Sequence, residues 1–138
     1  MENKCIFCEI VNGNIACKKI AENENAIAFL DVRPITNGHT LVIPKKHYID
    51  LGTCNGDVLK DVILLVQNVS RKLEACKKLD PWGFNYLSNQ GKIAGQEVFH
   101  FHVHIIPKYD TKNGFSFNVN KDDQLESIDD VFSWISKK

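Results

Sequence analysis

The chain has 138 residues, 43% of them apolar, and its 17 Lys and Arg residues balance 17 Asp and Glu residues. This length can bury its own core, and the composition is that of an ordinary soluble protein, so we expect a single domain over residues 1–138. Balanced charge argues against a binder of nucleic-acid polymers or membrane surfaces, although a small anionic ligand needs only local donors. No stretch is long and apolar enough to span a bilayer and the N-terminus has no signal pattern, so we expect a cytoplasmic protein with reduced thiols.

Two cysteines near the N-terminus, Cys5 and Cys8, form a C-x-x-C pair. A redox site of the thioredoxin type would need a strand before the pair, and only four residues precede Cys5. A metal site would need two more ligands from elsewhere in the chain. The pair therefore stays open between a metal site and chance, and we expect the scattered cysteines to have no chemistry: Cys17, Cys54 and Cys76.

Two apolar runs, residues 26–32 and 40–43, predict strands. The segment between them contains Pro34 and the dipeptide Asn37-Gly38, which interrupt regular structure and form turns. Pro44 ends the second run. We therefore expect an antiparallel pair of strands.

A long amphipathic helix is predicted from Asp57 to about Lys77, and Pro81 and Gly83 follow it. Residues 84–89 then predict a third strand, central in the sheet, followed by a loop over residues 90–95. The helix presents one apolar stripe with spacings of three and four: Val58, Val62, Leu65, Val66, Val69 and Leu73.

Beyond this loop, three histidines alternate with apolar residues: His100, His102 and His104. A period of two is the mark of a β-strand, so the apolar residues between them, Phe101, Val103 and Ile105, should face a core. A strand that only had to pack would not place three imidazoles on its other face. Three same-face residues on one strand span about 13 Å, so they cannot together hold one metal ion through bonds of about 2 Å.

The C-terminal segment predicts an amphipathic helix over about 123–137, and Asp123 and Glu126 have the spacing of a capping box at its start. Antiparallel strands with one or two helices packed against them make an α+β domain. The apolar positions of this last helix are Leu125, Ile128, Val131, Phe132 and Ile135.

Four motifs in order resemble those of the histidine-triad (HIT) superfamily, and the resemblance covers about residues 5–108. Residues 100–106 match its His-φ-His-φ-His-φ-φ motif, where φ is an apolar residue. Asp31 with its turn, and then residues 39–47, resemble its nucleotide-binding strands. Residues 89–96 resemble its phosphate loop, and residues 5–8 are similar to the N-terminus of its zinc-bearing bacterial-type members.

This resemblance implies a HIT-like α+β fold, with an antiparallel sheet of about five strands, a long central helix and a C-terminal helix. It implies a nucleotidyl hydrolase that cleaves a nucleoside monophosphate from phosphoramidates or dinucleoside polyphosphates through a covalent nucleotidyl-histidine. A transferase that passes the nucleotide to a phosphorylated acceptor is one alternative. A nucleotide-binding interaction protein with incidental turnover is another. The expected partner is a purine nucleotide or nucleotidyl conjugate, and no organic cofactor is expected.

The same resemblance assigns the catalytic role to the triad, His100, His102 and His104, with His102 as the nucleophile. A neutral imidazole is nucleophilic near its pKa, and a backbone carbonyl can hold its other ring nitrogen. His104 and His39 are expected to donate hydrogen bonds to phosphate oxygens. The phosphate loop adds two neutral donors and a glycine that lets the backbone approach the phosphate: Asn89, Gln96 and Gly95.

Asp31 matches the acidic contact with the ribose diol, although a carboxylate at a strand end is also common in turns. Glu97 and Val98 complete the candidate contacts of the loop. Many eukaryotic relatives have Ser or Thr at the position of Glu97, so the group that protonates the leaving group stays unassigned. The residues matching the clasp around the base are equally suited to a core: Ile6, Phe7, Ile10, Phe29 and Leu41.

The resemblance also implies a structural zinc site made by Cys5, Cys8, His47 and His100, since four protein ligands close a tetrahedral coordination sphere. It implies a homodimer in which two sheets join near the long helix. The apolar stripe of that helix, widened by Leu59 and Ile63, is broader than one sheet face needs.

Overall fold

The computed structural model describes residues 5–137 and has the predicted α+β arrangement. Its five strands form one antiparallel sheet in the order β1-β2-β3-β5-β4. The strands are β1 (Lys19–Glu22), β2 (Ala26–Leu30), β3 (Thr40–Pro44), β4 (Gly83–Leu87) and β5 (Val103–Lys108). The helices are α1 (Ile6–Val11), α2 (Gly56–Ala75) and α3 (Ile128–Ile135), with short 3-10 turns at Leu51–Thr53 and Lys92–Ala94.

The antiparallel pair predicted for the first two apolar runs is confirmed as β2 and β3, with Phe29 opposite Leu41. The strand predicted to be central, β4, lies instead at the edge of the sheet, because β5 inserts between β3 and β4. His104 of β5 is opposite Leu41 on one side and Leu87 on the other. The triad strand is thus the central link between the two parts of the sheet.

Helix α2 covers one face of the sheet, and its predicted apolar stripe is buried against it. Asn55 caps the helix by accepting hydrogen bonds from the backbone N–H groups of Asp57 and Val58. Phe101, Val103 and Ile105 face this core, as the alternation predicted. Ala26 and Ala28 are fully buried beneath the helix, since their small side chains let it approach the sheet.

The opposite face of the sheet carries a second, smaller apolar cluster of Phe7, Ile27, Phe29, Leu41 and Ile43. Phe7 belongs to α1, a six-residue helix that the sequence did not indicate because it is too short to show periodicity. The Sγ atom of Cys5 caps this helix by accepting a hydrogen bond from the backbone N–H of Cys8. Beside α1, this second face of the sheet is open and forms a cleft.

Strand β5 begins at Val103, so the prediction of one regular strand through all three triad histidines is wrong at its start. The backbone of the preceding residues bonds to loops instead of to the sheet. The N–H of Phe101 donates to the carbonyl of Tyr48 at 2.6 Å, and the carbonyl of His102 accepts from Ser88 Oγ at 2.7 Å. His100 and His102 consequently have different surroundings from His104.

The C-terminal helix is shorter than predicted and begins after Ser127, whose Oγ accepts a hydrogen bond from the N–H of Asp130. The capping box expected at Asp123 and Glu126 is therefore wrong, because the true cap lies further along the chain. The apolar side chains of α3 are largely exposed, with Ile128 at 86% and Phe132 at 68%. No helix within residues 5–137 is long and apolar enough to cross a lipid bilayer.

Candidate active site

A cleft of about 660 Å³ lies on the sheet face opposite α2. Its floor includes a row of cross-strand neighbours, Phe29, Leu41, His104 and Leu87, because residues opposite each other in register share a face. Helix α1 supplies further apolar lining at this cleft. All five residues predicted to clasp a base are in the lining: Ile6, Phe7, Ile10, Phe29 and Leu41.

His102 is 9% exposed and lines the cleft. Its Nδ1 lies 2.7 Å from the backbone carbonyl of His100. A carbonyl oxygen can only accept, so Nδ1 carries the hydrogen and Nε2 keeps its lone pair. Burial lowers the pKa of His102 below its ordinary value, which holds the ring neutral at pH 7. The carbonyl contact predicted from the sequence is present, and it leaves Nε2 as the ring nitrogen with a free lone pair.

A chain of hydrogen bonds sets the orientation of His104. The backbone N–H of Ile35 donates to His39 Nδ1 at 3.1 Å, which requires the hydrogen of neutral His39 to be on Nε2. That Nε2–H then donates to His104 Nδ1 at 2.9 Å. Burial, followed by the neighbouring His102 and His39, lowers the pKa of His104 to about 4. His104 is therefore neutral, with Nε2–H as its free donor.

The same chain of bonds corrects the role predicted for His39. Burial lowers its pKa, and both of its ring nitrogens already have partners within the protein. His39 therefore has no ring donor left for a phosphate oxygen. What its two ring contacts do is determine the tautomer of His104.

Asp31 follows β2 directly and lines the cleft. Its Oδ1 accepts a hydrogen bond from the N–H of Arg33 at 2.8 Å, which is the turn role that the sequence also allowed. Its Oδ2 lies 3.6 Å from His39 Nε2. The carboxylate is thus oriented at the cleft by its own turn, and the ribose contact stays a prediction.

Gly95 and Asn89 both line the cleft and lie against each other. Gly95 has a φ of +98°, a left-handed conformation that favours glycine, and a Cβ there would meet Asn89 Nδ2 at 3.1 Å. Asn89 Nδ2 donates to the carbonyl of Gly95 at 3.3 Å. The positive φ thus favours the glycine predicted from the loop motif, and a Cβ there would also displace the Asn89 side chain.

Gln96 does not serve as the phosphate donor that the sequence predicted. Its side chain is outside the cleft lining and the residue is only 4% exposed. Its Nε2 donates to the carbonyls of Ile49 at 2.6 Å and Val98 at 3.2 Å, and its Oε1 accepts from the N–H of Gly91 at 2.9 Å. Both amide hydrogens are used, so Gln96 fixes the shape of the loop instead.

Glu97 and Val98 differ in their surroundings although both line the cleft. Val98 packs against the second apolar cluster, whereas Glu97 is exposed. Sequence reasoning missed other lining residues, among them Arg33, Cys17 and Phe115. Arg33 could have been predicted because it shares a turn with Asp31. Phe115 could not, because it follows β5 in a segment without any motif.

The four predicted metal ligands, Cys5, Cys8, His47 and His100, come together with all ligand atoms within 4.8 Å of one another. His47 Nδ1 lies 3.3 Å from Cys8 Sγ, and His100 Nδ1 lies 3.3 Å from Cys5 Sγ and 3.5 Å from Cys8 Sγ. A tetrahedral zinc ion separates neighbouring sulfur and nitrogen ligands by about 3.6 Å. The donor types and spacings therefore fit a tetrahedral metal.

His100 belongs to this cluster and not to the cleft. It is fully buried, is absent from the cleft lining, and its Nε2–H donates to the carbonyl of Pro44 at 2.9 Å. Burial is the main cause that lowers its pKa to about 4, so Nδ1 presents a lone pair to the thiols. His100 thus lies among the predicted metal ligands, and its side chain is not in the lining of the cleft, where the catalytic role also predicted for it would place it. Its carbonyl, however, holds His102.

Comparison with known proteins agrees with this geometry. The HIT domain family model matches residues 12–111, and the chain belongs to the HIT family. An uncharacterised HIT-like protein of Mycoplasma genitalium is 51% identical over 98% of this chain and 94% of the relative. The adenosine 5'-monophosphoramidase of Schizosaccharomyces pombe is 43% identical over 80% of this chain and 78% of its own. The crystal structure of a HIT family protein of Bacillus anthracis has a TM-score of 0.87 at 37% identity, covering 99% and 95% of the two chains.

Proposed function

We propose that the protein is a nucleotide hydrolase that releases a nucleoside monophosphate from phosphoramidate or dinucleoside polyphosphate substrates. The observation that carries this proposal is the bond of 2.7 Å between His102 Nδ1 and the His100 carbonyl, which leaves a neutral Nε2 at the cleft. Relatives about 40% identical that are named adenosine 5'-monophosphoramidases support the same activity.

In the first step, His102 Nε2 attacks the α-phosphorus and a P–N bond forms while the bond to the leaving group breaks. The leaving group takes up a proton from solvent, and the water that attacks in the second step gives a proton back to solvent. The hydrogen bond from Nδ1–H to the His100 carbonyl stabilises the positive charge that develops on the ring. His104 Nε2–H donates to a non-bridging phosphate oxygen, and Asn89 adds a second neutral donor. Water then attacks the phosphorus, the P–Nε2 bond breaks, and the nucleoside monophosphate leaves.

Steady-state turnover of an adenosine phosphoramidate and of diadenosine tetraphosphate tests this function. We expect wild-type protein to release AMP from at least one of the two, and His102→Ala to lose that activity. Asn113→Ala, in an exposed turn after β5, is a matched control that should keep it. Equal turnover by wild type and His102→Ala would contradict the proposal.

We also propose that Cys5, Cys8, His47 and His100 hold a structural zinc ion. Burial, and next the hydrogen bond with Cys5, raises the pKa of Cys8 to about 11, so a bound cation is what would favour the thiolates. The bond from His100 Nε2–H to the Pro44 carbonyl orients the ring for a metal on Nδ1. Metal analysis of gently purified protein should find about one zinc per chain, and its absence would contradict the assignment.

We further propose a homodimer. Edge strand β4 leaves one side unpaired within residues 5–137, and nearby Tyr86 and Trp82 are exposed. On α2, Leu59 packs partly into the core, whereas Ile63 and Leu64 are about half exposed. A second copy would cover this edge and these side chains. Light scattering should give twice the chain mass of 15.7 kDa, and a monomer at micromolar concentration would contradict it.

A further inference from the structure

We infer that Glu97 is a specificity-determining residue that selects substrates by the charge of the leaving group. It favours nucleoside phosphoramidates whose leaving amine carries a further positive charge, and it disfavours polyphosphate leaving groups. This inference rests on the proposed hydrolase function and names the substrate class of the same cleft.

Glu97 is held at the cleft by its two neighbours in the loop. Gln96 is buried and bonded to three backbone groups, and Val98 packs against the second apolar cluster. Between these two anchors, Glu97 lines the cleft and is exposed. Its carboxylate makes no hydrogen bond or ion pair with any of residues 5–137. The loop therefore holds the backbone of Glu97 at the cleft and leaves its carboxylate unpaired.

The charges around the cleft are unsuited to a polyphosphate. Among the described residues, Arg33 is the single Lys or Arg in the lining, against two carboxylates, Asp31 and Glu97. His39, His102 and His104 are neutral because burial lowers their pKa values. Sites that stabilise several phosphates supply clusters of cations, and this cleft offers neutral donors for one phosphate.

The two carboxylates also differ in their availability. Asp31 accepts a hydrogen bond from the N–H of Arg33 and lies near His39 Nε2, whereas Glu97 lacks such partners. An unpaired carboxylate repels an anionic group brought beside it and attracts an ammonium. Because Glu97 is exposed, water screens its charge, so we expect a modest effect of about tenfold in rate.

The experiment uses three adenosine phosphoramidates that differ only in the leaving amine: ethylenediamine, propylamine and β-alanine, which add a positive, a neutral and a negative group. The measured quantity is kcat/KM at low ionic strength, taken as the ratio of variant to wild type so that intrinsic reactivity cancels. Glu97→Gln should lose about tenfold on the cationic substrate, gain about tenfold on the anionic one and stay nearly unchanged on the neutral one. Glu97→Lys should change these ratios in the same directions as Glu97→Gln and by larger factors.

Glu74→Gln is the matched control, because Glu74 is an exposed residue of α2, which packs on the other face of the sheet. It should reproduce the wild-type ratios, and added salt should shrink the differences seen for Glu97→Gln. Unchanged ratios in both Glu97 variants would overturn this inference while wild-type turnover still supports the hydrolase. A wild type inactive on all three substrates and on diadenosine tetraphosphate would instead overturn the hydrolase, and the inference with it.

Discussion

The two ends of the cleft are built in different ways. At the histidine end, Ile35, His39 and His104 form a continuous chain of hydrogen bonds, and His102 is held by a backbone carbonyl. At the apolar end, part of the wall is the six-residue helix α1, which begins after Cys5 and includes Cys8. A helix that short is not stable alone, so its position depends on what holds it to the sheet.

This difference separates chemistry from binding. The histidine end is fixed by groups that β3, β5 and their adjoining loops supply, so its geometry is set by the sheet. The apolar end depends on Phe7, which lies between the two cysteines and contacts the rings of His102 and His100 at centroid distances of 5.2 and 5.8 Å. Changes at the first end should therefore lower kcat, and changes at the second should first raise KM.

Apart from loss of the nucleophile His102 itself, the largest effect is expected at His104. His104→Ala removes the free Nε2–H donor, and loss of one such donor costs about a hundredfold to a thousandfold in kcat. His39→Phe should cost less, because it only releases the His104 tautomer. In the His104→Ala background, His39→Phe should have almost no further effect on kcat, since it acts through His104. Additive losses in that double mutant would show that His39 contacts the substrate itself.

Asp31 should have the next largest effect, and on binding alone. A charge-assisted hydrogen bond contributes about 1.5–3 kcal/mol, which corresponds to roughly ten- to a hundredfold in affinity. Asp31→Asn should weaken binding of AMP by that factor and leave 2′-deoxy-AMP nearly unaffected. If wild-type protein binds the two nucleotides equally well in calorimetry, Asp31 serves only its turn.

Of these changes, removal of the metal should have the smallest effect on kcat. Chelation, or Cys5→Ser, should lower the melting temperature by about 10 °C, as expected for loss of a structural site worth a few kcal/mol. Because α1 also forms part of the apolar wall, KM should rise severalfold while kcat changes less. Cys76→Ser, at an exposed cysteine, is the control and should change neither value. A fall in kcat with unchanged KM would contradict this separation of the two ends.

Periodicity predicted the strands and the long helix, and the family resemblance implied the gathering of Cys5, Cys8, His47 and His100 that the structure shows. Neither predicted that two motif residues turn inward. Gln96 and His39 match the motifs, but their polar atoms bond within the protein. Gln96 bonds to the carbonyls of Ile49 and Val98, and His39 bonds to the N–H of Ile35 and to His104 Nδ1. Hydrogen-bond partners so distant in sequence leave no local pattern.

The same limit explains the strand error. Alternation through residues 100–106 is satisfied by side chains facing opposite ways, whether or not the backbone pairs with a strand. The N–H of Phe101 bonds to the carbonyl of Tyr48, and the carbonyl of His102 bonds to the hydroxyl of Ser88. The alternation of residues predicts neither contact. What the assembled fold adds is that the side chain of His100 is buried beside the cysteines and outside the cleft, whereas His102 lines the cleft.

The central claim is that the neutral Nε2 of His102 is the nucleophile. Intact-mass analysis of a reaction with an adenosine phosphoramidate, quenched within its first turnover without acid, tests it most directly. We predict a mass increase of one adenylyl group located on His102, absent in His102→Ala and slower to form but still present in His104→Ala. An adduct on another residue, or full turnover by His102→Ala, would contradict the account.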